Sequence, residues 1–107
     1  MDTQKLFDLS SRVVIITGAA GNLGSKYAEG LTQAGANVIL ADIDYIACKQ
    51  LGKKLEKKYS IKNLAIKLDL NDKSSIKNMV SKTIKQFSKI DILINNAGSN
   101  IRKRPEE

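Results

Sequence analysis

The feature that most constrains the fold is the segment from Arg12 to Asp42, in which apolar runs flank a glycine-rich turn. Residues 13–16 are a short β-branched run, and residues 17–24, Thr-Gly-Ala-Ala-Gly-Asn-Leu-Gly, end it at once. This pattern predicts a buried parallel strand that turns sharply into a helix. Residues 37–41 form a second apolar run that leads into Asp42. The segment therefore has the order and size, about 30 residues, of one strand–helix–strand unit.

Such a unit offers a site for the diphosphate of a dinucleotide. Glycines let the backbone approach where a Cβ would collide, and the next helix presents unpaired N–H groups at its positive end. Asp42 follows Gly24 by 18 residues, close to the spacing at which a carboxylate meets the adenosine ribose. A carboxylate there repels a 2′-phosphate, which favours NAD over NADP as cofactor. The alternatives are a purely structural turn and an Asp42 that only caps the following helix.

The remainder of the chain continues the alternation of strands and helices. Residues 63–68 predict a third strand, Asn71 or Asp72 the N-cap of a helix, and residues 90–95 a fourth strand. We therefore expect one α/β domain over residues 1–107 with a parallel sheet. Right-handed crossovers give the strand order 3-2-1-4, with the first two helices on one face and the third on the other.

The face of the first helix follows from its apolar periodicity. Leu23, Tyr27, Leu31 and Ala34 recur at intervals of three and four residues, which predicts that they form a stripe against the sheet. Gly30, inside the same helix, is interpreted as a place where helix and sheet pack closely.

Three motifs resemble those of the short-chain dehydrogenase/reductase family. They are Thr17-Gly18 with Gly24, Asp69-Leu70, and Asn95-Asn96-Ala97-Gly98, which correspond to the family's TGxxxGxG, the acidic pair after its third strand, and its NNAG. The resemblance implies a Rossmann-like fold and a nicotinamide cofactor. It covers nearly the whole chain but only the first half of such an enzyme.

The resemblance also implies roles for individual residues. Gly18, Asn22, Leu23 and Gly24 would hold the diphosphate, Asp69 and Leu70 would border the adenine, and Asn96 would lie near a ribose, whereas Asn95 stabilises the sheet. Asn22 stands where the family has its middle glycine, and we expect it to use the tolerance of asparagine for positive φ. From the residues alone, Asp69 is as well explained as a turn residue, and the asparagines as partners of loop backbone.

No catalytic residue is assigned. The family's serine, tyrosine and lysine follow NNAG and have no match here, and the spacing Tyr45-x-x-x-Lys49 occurs at the wrong place in the chain. We expect the chain to be the cofactor-binding portion of an oxidoreductase, truncated after the fourth strand and prone to self-association. Residues 6–10 and 100–103 resemble members that act on sugars and sugar acids. The alternative is a non-catalytic nucleotide-binding or interaction module.

Composition excludes several other functions. Eighteen basic and eleven acidic residues give a net charge of +7, but the lysines are scattered along the helices and five aromatic residues offer little for base stacking, so we expect no nucleic-acid partner. With no histidine, His-based zinc sites and Ser-His-Asp triads are excluded. A single cysteine, Cys48, and the lack of a long apolar run predict a cytoplasmic protein without a membrane segment.

Overall fold

A computed structural model describes residues 8–97 of the chain. Four strands and three helices alternate in this part: β1 Val13–Thr17, α1 Asn22–Gln33, β2 Asn37–Asp42, α2 Tyr45–Tyr59, β3 Leu64–Lys67, α3 Lys73–Phe87 and β4 Ile92–Asn95. Every predicted element is present. The third and fourth strands are one or two residues shorter than predicted at their ends, where element boundaries are set by pairing rather than by residue type.

The four strands of the described residues form one parallel sheet in the order β3-β2-β1-β4. This confirms the predicted α/β fold and its strand order. β1 lies in the middle of the sheet, where Ile15 is in register with Ile39 of β2 and Leu93 of β4. All five residues of β1 are buried, as expected for a strand covered on both faces.

The helices lie on the two faces as right-handed crossovers require. On one face, Val14 and Ile16 of β1 pack with Ala28 of α1 and with Cys48 and Leu55 of α2. On the other face, Val13, Ile15 and Ile39 pack with Met79 of α3, and Ile76 and Phe87 of the same helix lie against this cluster. The core is therefore two apolar layers separated by the sheet.

α1 contacts the sheet through small side chains. Its buried residues are Gly24, Ala28 and Thr32, while Leu23 and Tyr27 are 48% and 41% exposed. The predicted stripe was therefore wrong for Leu23 and Tyr27. The tight glycine turn brings the start of α1 directly against the end of β1, so the helix turns its narrowest face inward, and periodicity alone favoured the larger side chains.

The interpretation of Gly30 was also wrong. This glycine is exposed, and a Cβ at its position would meet no atom within 4 Å. The glycine of α1 that does sit against the backbone is Gly24, whose Cβ would lie 2.1 Å from the carbonyl oxygen of Gly18. Close packing is therefore a property of the first turn of α1 and not of its middle.

Candidate cofactor-binding site

A cavity of about 390 Å³ opens at the carboxyl ends of the strands. Its lining comes from the loops that follow all four strands: Gly18 and Gly21 after β1, Asp42 and Ile43 at the end of β2, Leu68, Asp69, Leu70 and Asn71 after β3, and Ala97 after β4. In an open α/β sheet, the carboxyl edge at the point where the strand order reverses is the usual ligand site. The structure thus brings Gly18, Asp42, Asp69 and Leu70, four of the predicted site residues, around one cavity.

The glycine turn is required by close packing. Gly18 has φ of +70°, in the region that glycine occupies at low cost. A Cβ at Gly18 would lie 2.9 Å from Ala97, and a Cβ at Gly24 would collide with Gly18 itself. The end of β1, the start of α1 and the segment after β4 can therefore meet only if both positions lack side chains.

The N-terminus of α1 differs from those of the other helices because no side chain caps it. The N-cap residue is Gly21, whereas the carboxylates of Asp44 and Asp72 accept backbone N–H groups at the starts of α2 and α3. A Cβ at Gly21 would meet only the Gly18 carbonyl oxygen, at 3.5 Å, so Gly21 keeps its part of the cavity open. An uncapped helix N-terminus beside a cavity is suited to an anion.

Asn22, Leu23 and Gly24 form the first turn of α1 beside the cavity and do not line it. The expected use of positive φ at Asn22 was wrong, since the described residues other than glycine with positive φ are Ser11, Ser60 and Ser88. Asn22 is the first helical residue and its carbonyl oxygen accepts a hydrogen bond from Ser25 Oγ at 3.0 Å. A helical backbone accommodates asparagine without strain, so the missing middle glycine does not distort this turn.

Asp42 is held in a fixed orientation by two backbone groups. Its Oδ2 accepts the N–H of Ala20 at 3.0 Å, and its Oδ1 accepts the N–H of Asp44 at 3.0 Å. The first bond ties the end of β2 to the glycine turn, and the second fixes the loop into α2. Each carboxylate oxygen has a further lone pair, so the side chain can accept hydroxyl groups of a ligand in the cavity without reorienting.

The loop after β3 supplies a polar turn and an apolar wall. Asp69 Oδ1 accepts the N–H of Asn71 at 3.0 Å, and the N–H of Asp69 donates to Ser75 Oγ at 2.9 Å. Asp69 is therefore a turn residue as well as a lining residue. The turn presents Leu70, which is largely exposed, to the cavity next to the buried Leu68.

Thr17 joins β1 to the segment after β4. Its hydroxyl donates to Asn95 Oδ1 at 2.9 Å and accepts the N–H groups of Asn96 and Ala97 at 3.0 and 3.2 Å. The buried Asn96 in turn donates from Nδ2 to the carbonyl oxygen of Gly18 at 3.4 Å. These contacts support the structural role predicted for Asn95 and place Asn96 directly beneath the glycine turn. Gly98, the last residue of the motif, lies outside the described residues.

The sequence motifs predicted one apolar residue of the lining, Leu70, but not Ile43 or Leu68. Ile43 lies between two aspartates and was passed over, although it is 58% exposed and faces the cavity. One sequence signal could have indicated Ile43. It is an apolar residue that directly follows the carboxylate at the end of a strand, and it does not belong to the apolar period of the next helix. Gly21, Leu68, Asn71 and Ala97 carried no comparable signal because their place in the lining depends on how the loops meet.

Comparison with known proteins identifies the family. A sequence model described as short chain dehydrogenase matches residues 12–107. The chain belongs to this family. The match confirms the resemblance drawn from the glycine turn, Asp69-Leu70 and the asparagine motif, and agrees with the position of the cavity at the carboxyl edge.

Individual relatives differ in cofactor. The chain is 36% identical over 91 residues to an NADP-dependent 3-hydroxy acid dehydrogenase of Schizosaccharomyces pombe, covering 84% of this chain and 35% of the relative. It is 35% identical over 100 residues to the 15-hydroxyprostaglandin dehydrogenase [NAD(+)] of Macaca fascicularis, covering 92% and 38%. The crystal structure of a hydroxysteroid dehydrogenase from Escherichia coli superposes with a TM-score of 0.83 at 27% identity, covering 91% and 40%. The chain thus spans little more than a third of the length of these proteins.

Residues 8–97 contain neither a membrane-spanning helix nor a cluster of metal-binding side chains. No described helix is long and apolar enough to cross a membrane. Within the same residues, no group of three or more histidine, cysteine, aspartate or glutamate side chains is placed to hold a metal ion.

Proposed function

We propose that the chain is the cofactor-binding portion of an NAD-dependent short-chain oxidoreductase. The whole protein would exchange hydride between the nicotinamide and a hydroxyl or carbonyl carbon of a small molecule. The observation that carries the proposal is the cavity in which an uncapped helix N-terminus, a fixed carboxylate and an apolar pocket follow one another along one sheet edge.

The order of these features matches the parts of a dinucleotide. Going from β3 to β1 along the sheet, the cavity is lined by Leu70 after β3, by Asp42 and Ile43 at the end of β2, and by the glycine turn after β1. An adenine base fits the apolar end, a ribose diol fits the carboxylate, and a diphosphate fits the N-terminus of α1. Leu23, in the first turn of α1, would contact the diphosphate, and Asn96, which follows β4, lies on the side where the second nucleotide would extend.

Asp42 supports the choice of NAD. Because both oxygens are held by backbone N–H groups, the carboxylate cannot swing away from a 2′-phosphate, and the next two residues, Ile43 and Asp44, bring no positive charge. An NADP site needs a cation at this place. The relatives include both NADP-dependent and NAD-dependent enzymes, so the proposal depends on the residues of this chain.

The test is a titration of the protein with NADH and NADPH, followed by fluorescence or calorimetry. We expect tighter binding of NADH. Asp42→Ala should weaken NADH binding about 10- to 100-fold, the range of a lost charge-assisted hydrogen bond, and should weaken NADPH binding much less.

Asp69→Ala is the matched control, because it removes a carboxylate from the same cavity at a different loop. It should weaken both cofactors to a similar degree. Tighter binding of NADPH by the unaltered protein would contradict the assignment of Asp42 to the ribose, and the absence of binding by either cofactor would contradict the proposed site.

The proposal also includes the cellular compartment, the substrate class and the self-association of the protein. A lone buried thiol, Cys48, is suited to the reducing cytoplasm. A sugar or sugar acid as substrate rests on residues 6–10 and 100–103, most of which lie outside the described part of the chain. Self-association is supported by apolar side chains that lie open on and around β4.

A further inference from the structure

Lys67, the last residue of β3, is the neighbour of Asp42 in the sheet. The two residues are register partners of the parallel strands β3 and β2, and neighbouring strands lie about 4.8 Å apart. Their side chains also share a face. Ala65 and Leu40 belong to the same apolar layer, and residues two positions apart in a strand point to the same side. Lys67 and Asp42 therefore leave the backbone side by side, at the carboxyl edge of the sheet.

The charge of Lys67 is not paired within residues 8–97. Lys67 is exposed, and the ion pairs of this part of the chain involve Arg12, Lys58 and Lys89. The ammonium group of a lysine moves on a flexible four-carbon stem, which is long enough to reach from one strand to the next. Lys67 thus brings a mobile positive charge to the place where Asp42 holds a negative one.

The two charges differ in how firmly they are held. Both oxygens of Asp42 accept backbone N–H groups, from Ala20 and from Asp44, so the carboxylate is fixed. The loop after β2 brings no cation of its own, since Ile43 and Asp44 follow Asp42. The cation that is in register with Asp42 comes instead from the neighbouring strand.

We propose that Lys67 determines how strictly the adenosine end of the cavity excludes a 2′-phosphate. This inference rests on the proposed assignment of Asp42 to the ribose. A phosphate on the 2′-hydroxyl is repelled by the carboxylate of Asp42 and attracted by the ammonium group of Lys67. The unaltered site favours NAD because the carboxylate is fixed and the ammonium group is mobile. Once the charge of Asp42 is removed, the attraction remains and the site prefers the 2′-phosphorylated nucleotide.

Lys67 also has a structural explanation. It lies on β3, an edge strand of the described sheet, where a lysine opposes pairing with another chain. An edge lysine with this role alone has no influence on nucleotide binding. The affinity for a 2′-phosphate therefore distinguishes the two roles.

The test uses two nucleotides that fill only the adenosine end, adenosine 5′-monophosphate and adenosine 2′,5′-bisphosphate, in calorimetric titrations of the protein. The background variant is Asp42→Asn, which removes the charge and retains one acceptor. We expect it to bind the bisphosphate about fivefold more tightly than the monophosphate, the upper range for an exposed ion pair. Adding Lys67→Gln should abolish this preference by weakening only the bisphosphate. High salt should reduce the preference as well.

Two other lysines provide matched controls. Lys62→Gln removes the same charge at the opposite end of β3, roughly 16 Å away at about 3.3 Å per residue. Lys49→Gln removes an α2 lysine whose ammonium group lies 5.7 Å from the centroid of the Tyr45 ring. Added to Asp42→Asn, each should leave the affinity for both nucleotides within twofold.

The outcomes separate this inference from the proposed function. If the preference for the bisphosphate survives Lys67→Gln, or if Lys62→Gln or Lys49→Gln abolishes it equally well, Lys67 has no specific role and the proposal is overturned. In either case, binding of the monophosphate by the unaltered protein still supports the cofactor site. If the unaltered protein binds neither nucleotide, or binds the bisphosphate more tightly, the assignment of Asp42 fails and this inference fails with it.

Discussion

At the scale of single residues, Thr17 makes three of the hydrogen bonds that hold the end of β4 and the segment after it against β1. Its buried hydroxyl is bonded to the side chain of Asn95 and to the N–H groups of Asn96 and Ala97. Thr17→Val has nearly the same shape and leaves these groups without their partner, at about 1–3 kcal/mol for each buried group left unpaired. We expect the free energy of unfolding to fall by about 2–4 kcal/mol in urea titrations. Thr17→Ser keeps the hydroxyl and should cost less than half as much; equal losses would mean that packing of the methyl group, and not the hydrogen bonds, is what matters.

Some of the residues that line the cavity could be predicted from their positions in the sequence, and others could not. Asp42 and Gly18 could be predicted because their chemistry depends on spacing along the chain, and both line the cavity. Leu68 and Ala97 could not, because their place in the lining is set by the convergence of four separate loops. The φ angle of Asn22 was mispredicted for a related reason. The family pattern has glycine at this position, but φ is determined by the helix α1, which begins at Asn22.

At the scale of elements, α2 and α3 end in the same strained way. Ser60 and Ser88 follow their last residues with φ of 58° and 70°, a left-handed conformation that costs a non-glycine residue about 1–2 kcal/mol. Glycine adopts it freely but loses more entropy on folding. Ser60→Gly should therefore stabilise the chain by about 0.5–1 kcal/mol, and Ser60→Ala should give no gain. Thermal unfolding of both variants tests this, and destabilisation by Ser60→Gly would show that the serine hydroxyl contributes more than the strain.

The existence and order of the elements were predictable, whereas the face of α1 was not. Local chemistry indicates the strands through their β-branched runs and the third helix through its N-cap residue Asp72, and the crossover rule then yields the sheet order. The orientation of α1 depends on a tertiary contact, the approach of Gly24 to Gly18, which overrides the periodicity of Leu23 and Tyr27. The same rotation leaves those two side chains exposed.

At the scale of the whole molecule, stability should depend on pH at both ends of the range. The N–H of Val13 donates to the Asp91 carboxylate and lowers its pKa below the ordinary 3.8, helped by Lys89 and Arg12. Hydrogen bonds from Ser74 likewise lower the pKa of Asp72. As the pH falls below about 4, the unfolded chain takes up these protons first. The stabilisation that both carboxylates give at neutral pH is therefore lost in acid.

The loss of stability at high pH comes from a pKa that folding raises, whereas the loss in acid comes from pKa values that folding lowers. Burial, reinforced by the charges of Asp42 and Asp44, raises the pKa of the Cys48 thiol from 9.0 to about 12. Between these values the unfolded chain loses the proton and the folded chain keeps it, so stability falls as the pH rises, by at most about 1.4 kcal/mol per pH unit. We expect urea titrations at one low protein concentration to give a plateau in the free energy of unfolding from about pH 4 to 9. Asp91→Asn retains an acceptor for Val13 and should make the acid limb shallower without removing it, because Asp72 still contributes, whereas Cys48→Ala should flatten the alkaline limb alone. If each variant shifts the whole curve without changing either slope, these two groups do not set the limits of stability.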